Sequence, residues 1–200
     1  MCLPAITPGE ENWKSAGKIL RLSRTFQEER FCSGEIMTCS GTRKKTKYLN
    51  EEYRDRLFFL QNNFAVYKDY ALVGTKGFTF EGPFYLNRRG EIIGWDEEKE
   101  AHARKLVARE TERLRDSFDQ AEKAGFCKFI MFLHYPPTSI LEETSPFTEI
   151  AKEYGAEAVV YSHCHGESRF GDSIRGDFQG IRYMLVSGDY LNFRPALVME

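Results

Sequence analysis

Two stretches decide the fold: Phe129-Ile130-Met131-Phe132-Leu133-His134-Tyr135-Pro136-Pro137 and Ala158-Val159-Val160-Tyr161-Ser162-His163-Cys164-His165-Gly166. Each opens with a continuous apolar run, as a strand covered on both faces would. Each then passes directly into histidine. Pro136-Pro137 ends the first strand, and Gly166 lets the chain turn sharply after the second. Between them, Pro146 to Tyr154 reads as a helix with Gly155 as its stop. Tyr183-Met184-Leu185-Val186 makes a further buried strand. Strand, helix, strand in this order predicts an α/β fold, a sheet with covering helices.

Upstream, Asp96 reads as the N-cap of a long helix, with Glu97 and Glu98 in the first turn and Gly125 at its end. Val107, Leu114, Phe118 and Ala121 recur at helical spacing and mark the buried face, while Arg104, Lys105, Arg113 and Arg115 are left for solvent. His102, near the start, reads as a surface histidine. Leu57–Leu60, Phe64–Tyr67 and Tyr70–Val73 read as short strands, with Asn62-Asn63 and Lys68-Asp69 as turns. Before residue 46 the signal fades, and Met1 to Lys45 sustains neither the helical nor the strand period. The expected organisation is therefore a segment 1–45 of different character and a domain over 46–200.

The chain has 200 residues, 42% hydrophobic and 29% charged, which suits one globular domain with a core of its own. A net charge of −2 gives no broad basic field for nucleic acid or anionic lipid. The basic run Arg43-Lys44-Lys45-Thr46-Lys47 reads as a solvated stretch. The five cysteines are scattered without a C-x-x-C pair, so a disulfide framework is not expected. No apolar run reaches membrane-spanning length and no signal sequence is evident, which makes cytoplasm the expected compartment.

The chemistry concentrates at strand ends. His134 follows one buried strand, and His163 and His165 follow the next, at the edge where open α/β sheets bind ligands. In extended backbone, residues two apart project to the same side, so His163 and His165 are expected to face one centre with Cys164 turned away. Neutral imidazole suits zinc, iron, nickel and copper. Three polar strand caps are the bland alternative. Cys39-Ser40-Gly41-Thr42-Arg43 is too short from cysteine to arginine to wrap a phosphate.

His134-Tyr135-Pro136-Pro137 after an apolar strand, followed by Ser162-His163-Cys164-His165, resembles the last two motifs of the calcineurin-like metallophosphoesterases. Ser162 stands where that motif has glycine. Gly74-Thr75-Lys76-Gly77 and Val186-Ser187-Gly188-Asp189-Tyr190-Leu191 further resemble a bacterial group of predicted phosphohydrolases in that superfamily. The likeness spans about residues 46–200. It implies part of an α/β/β/α sandwich, mixed sheets with covering helices, and a dinuclear centre that hydrolyses phosphate mono- or diesters. It also implies that His134 and His163 bind one divalent transition metal and His165 the other, with manganese, iron, zinc or nickel as candidates. The substrate would be a small phosphorylated molecule. The likeness assigns no catalytic residue in this chain beyond these ligands.

The superfamily's earlier motifs, D-x-H, G-D and G-N-H-D, do not occur in this chain. Read one frame over, with the third base of each codon joined to the first two of the next, Pro4 to Glu10 permit G-D-H-S-W-G. Thr25 to Thr38 likewise permit L-P-G-R-x-V-L-L-R-G-N-H-D. The junction of Phe31 and Cys32 must give leucine, and that of Met37 and Thr38 must give aspartate. The expectation is that residues 1–45 are out-of-frame or divergent, that the first motif lies upstream, and that activity is impaired. The competing expectation is a non-catalytic remnant that binds one metal through three histidines, or none.

Overall fold

A computed structural model describes residues 2–3, 30–33, 43–53, 57–78, 97–138, 140, 142 and 144–199. The Asp96 cap and most of segment 1–45, including its out-of-frame reading, lie outside them. In chain order the elements are β1 (Cys2–Leu3), β2 (Arg30–Ser33), α1 (Arg43–Glu52), β3 (Leu57–Leu60), β4 (Phe64–Tyr67), β5 (Tyr70–Thr75) and α2 (Glu97–Lys123). They continue as β6 (Phe129–Leu133), α3 (Pro146–Glu153), β7 (Ala156–Tyr161), α4 (Glu167–Gly171), β8 (Gly176–Phe178), β9 (Ile181–Leu185) and β10 (Ala196–Leu197).

A six-stranded mixed sheet in the order β4-β5-β6-β7-β9-β8 organises the fold. Its four central strands are parallel, and β4 and β8 run antiparallel at the edges. Parallel neighbours need crossovers, and α2 and α3 supply two of them. The apolar runs behave as expected of strands covered on both sides. Phe129, Met131 and Leu133 join Val107, Leu114, Phe118, Phe147 and Ile150 in one cluster, which packs the helices onto the sheet. Ile130 and Phe132 join Leu60, Leu72, Val160 and Val198 in a second cluster on the opposite face. A register shift at the start of the β6–β7 pairing moves Ala158 opposite Ile130, so β7 keeps the same division.

The helix boundaries have local causes. Ser145 caps α3, its hydroxyl accepting from the backbone N–H of Phe147 and Thr148, with Pro146 at the first helical position. Gly125 and Gly155 follow α2 and α3 with φ of 93° and 66°, the left-handed stop that glycine allows without strain. On α2 one residue breaks the apolar stripe. Glu110 is fully buried, bonds the Thr75 hydroxyl at the end of β5, and pairs with Arg109 and Arg113. The side chain of α1's Asn50 bonds both the N–H and the carbonyl of Phe59, docking that helix on β3. The basic run opens this helix, with Lys44 and Lys47 exposed to solvent as expected. No described helix is long and apolar enough to cross a membrane.

Candidate metal centre

Strands β6 and β7 lie side by side, Leu133 opposite Tyr161, so their exits are neighbours. Those exits are bonded together. His134 and Tyr135 donate their backbone N–H to the Lys76 carbonyl at 3.0 and 2.9 Å, and Ser162 donates its own to the His134 carbonyl at 3.2 Å. Beyond Ser162 the backbone is not extended. His163 has φ of 68°, and Cys164 donates its N–H to the Ser162 carbonyl at 2.8 Å, closing a three-residue turn. Such a conformation costs on the order of 1–3 kcal/mol for a non-glycine residue and concentrates at functional sites. Cys164 is turned away as expected, buried in the core, where burial pushes its thiol up. The cause differs from the expected alternation, since the strand has already ended at Tyr161 and the turn sets the directions.

His134 and His163 meet. The Nε2 of His134 lies 3.2 Å from the Nδ1 of His163, with ring centroids 5.0 Å apart at 70°. The Tyr135 ring packs against His163 at 4.1 Å, and the Ser162 hydroxyl stands 3.4 Å from the Nδ1 of His134. Both imidazoles are held neutral. Burial, then the Lys76 ammonium and His165, push His134 down to about 4. Burial, then His134, His165, Arg169 and Lys76, push His163 down to about 3. Neutral imidazole is the ligand form. Two nitrogens bound tetrahedrally to zinc at 2.0–2.1 Å are separated by roughly 3.3 Å, close to the spacing found here. One tautomer makes this contact an N–H···N hydrogen bond; another leaves both nitrogens unprotonated at that spacing. The pair fits a divalent ion.

His165 is built differently. Its Nδ1 lies 2.9 Å from the Asp189 Oδ1, and the Asp189 Oδ2 accepts from the Gly166 backbone N–H at 2.9 Å. Burial pushes the Asp189 carboxyl up, but its bonds from His165 and Gly166 outweigh this and hold it below the usual carboxylate range. A carboxylate can only accept, so Nδ1 is the donor to Asp189, and in the neutral ring Nε2 is the nitrogen with the lone pair. That Nε2 is buried with no hydrogen-bond partner among the described residues. An orphaned buried acceptor costs about 1–3 kcal/mol, which a ligand at that position would relieve.

Of the three expected ligands, then, two are in contact and the third stands apart, bonded to Asp189 instead. Among the described residues no three His, Cys, Asp or Glu side chains group closely enough to hold one ion as they stand. His102 is exposed on α2. Sequence reasoning read Ser162 only as a residue that tightens the turn into the ligand pair, and it assigned no role to Asp189. Each had left a trace, Ser162 as the departure from glycine and Asp189 inside the Ser187-Gly188-Asp189 string. Compared with protein-family models, curated proteins and solved structures, the chain matches none.

Proposed function

We propose that this strand edge is the histidine half of a metal-dependent phosphoesterase centre. His134 and His163 would hold one divalent cation, and His165 would offer its Nε2 to a second. The observation that carries the reading is the 3.2 Å approach of two neutral imidazole nitrogens at the ends of adjacent parallel strands. The sandwich architecture is part of the same proposal, supported by a mixed sheet with an apolar cluster on each face. The bound cations would supply Lewis acidity toward phosphoryl oxygens and a nucleophilic water at neutral pH. The chain's own side chains prepare for that chemistry. Burial keeps two ligands unprotonated, and the Lys76 and Arg169 charges that act on His163 also favour an anionic ester. Manganese, iron, zinc and nickel all suit these ligands, and a small phosphorylated molecule is the proposed substrate.

A second reading is favoured by the lack of a three-ligand group among the described residues. It is a non-catalytic domain that binds one ion through the His134–His163 pair. The test is metal content and turnover of an aryl phosphate by the purified chain, reloaded with manganese after chelation, beside His163→Ala. One ion per chain, lost in the variant, with little turnover supports the metal site. A version with residues 1–45 read in the alternative frame and a D-x-H motif supplied ahead of them should then hydrolyse the ester. Failure of that version would leave the non-catalytic reading, and absence of metal uptake by the original chain would end both.

A further inference from the structure

We infer that Asp189 is a positioning residue for His165, fixing it as the Nδ1–H tautomer so that the Nε2 lone pair is presented to a ligand. That the ligand is a divalent cation rests on the proposed function; the tautomer does not. Three donors converge on this carboxylate. The His165 Nδ1 and the Tyr190 N–H lie 2.9 and 3.0 Å from Oδ1, and the Gly166 N–H lies 2.9 Å from Oδ2. The loop that carries Asp189 leaves the sheet directly after β9, beside the β7 exit, where the Val186 N–H bonds the Tyr161 carbonyl at 2.8 Å.

That loop is closed by its own backbone. Ser187, Gly188 and Asp189 carbonyls accept from Leu191, Phe193 and Asn192 at 3.0, 2.7 and 3.2 Å. Asp189 therefore stands on a frame that is independent of the turn holding His165. Capping the turn through Gly166 and Tyr190 alone would not require an imidazole on the carboxylate. Nor would it leave the far nitrogen buried and unpartnered. A histidine that donates one ring N–H to a carboxylate and turns its other nitrogen to an ion is a recurrent arrangement of metal sites.

The decisive readout is the ¹⁵N spectrum of histidine-labelled, metal-free protein at pH 8, for the original chain and Asp189→Ala. The original chain should show His165 with a protonated Nδ1 and an unprotonated Nε2. In Asp189→Ala the preference should reverse toward Nε2–H, with the His134 and His163 signals in place as the check on folding. An Nε2–H tautomer in the original chain overturns the inference, and that spectrum alone decides it if the variant does not fold. An unchanged tautomer in folded Asp189→Ala overturns it as well. Absence of zinc uptake together with the expected tautomer would sink the proposed function and leave the positioning role standing.

Discussion

His134 and His163 face each other from neighbouring strands, whereas His165, on the same turn as His163, faces a carboxylate across a loop. The first group is made ready by burial and by nearby positive charge, which strip its protons. The second is made ready by a hydrogen bond, which chooses a tautomer and leaves one nitrogen exposed to a ligand alone. The difference teaches that two neutral nitrogens at ligand spacing can chelate by themselves, while a single oriented nitrogen cannot. On the proposed reading, one side of the edge would hold an ion and the other would contribute a single donor.

The strongest way to break this comparison is to remove one ligand from each side. His163→Ala should lower zinc affinity by on the order of 100-fold or more, beyond the 10–100-fold typical of supporting residues. His165→Ala should leave the tightly held ion in place. Calorimetric titration of both variants checks this, and equal losses would erase the distinction.

Gly74→Ala asks whether the pair depends on strand contact. A Cβ at Gly74 would collide with the Phe132 carbonyl on β6, just before His134. Backbone cannot yield as a side-chain tip does, so a loss of about 1–3 kcal/mol is expected. Zinc affinity at the pair should fall with it, because the next turn of chain carries the Lys76 carbonyl that bonds His134. Denaturant unfolding and the same titration test both effects. Ser162→Ala should be milder, a decrease of at most about 10-fold confined to the pair, since only the hydroxyl near the His134 Nδ1 is lost.

The comparison also sets a pH dependence. In the metal-free protein His134 and His163 are pushed down to about 4 and about 3 from 6.5. Below 6.5 the unfolded chain binds protons that the folded chain refuses, so stability rises with pH through that window and is lost on acidification. Above it the two histidines contribute no slope. Denaturation midpoints at pH 8, 6 and 4.5 should show the decline, and His163→Gln should make it shallower.

The sheet was largely legible because its central strands are covered on both faces and Phe129–Leu133 is apolar throughout. Helix α2 was legible from Val107, Leu114 and Phe118, but its buried Glu110 was not, since it is the fold that sets Thr75 against it beside Arg109 and Arg113. Helix α1 straddles residue 46, where the change in character was placed. It shows little period because few of its residues, Thr46 and Leu49 among them, are buried. The histidines could be found because each directly follows an apolar run. Their partners could not be assigned. Ser162 meets His134 and Asp189 meets His165 across 28 and 24 residues, through loops whose closure no local pattern encodes. Alternation also misled beyond Tyr161, because a period of two describes a strand and the strand had ended.

The most direct test of the account is an anomalous-scattering map of zinc-loaded crystals, recorded on both sides of the zinc edge. The account predicts a peak between the Nε2 of His134 and the Nδ1 of His163, about 2.0–2.1 Å from each. A zinc-loaded crystal with those two nitrogens still facing each other and no peak between them would contradict it.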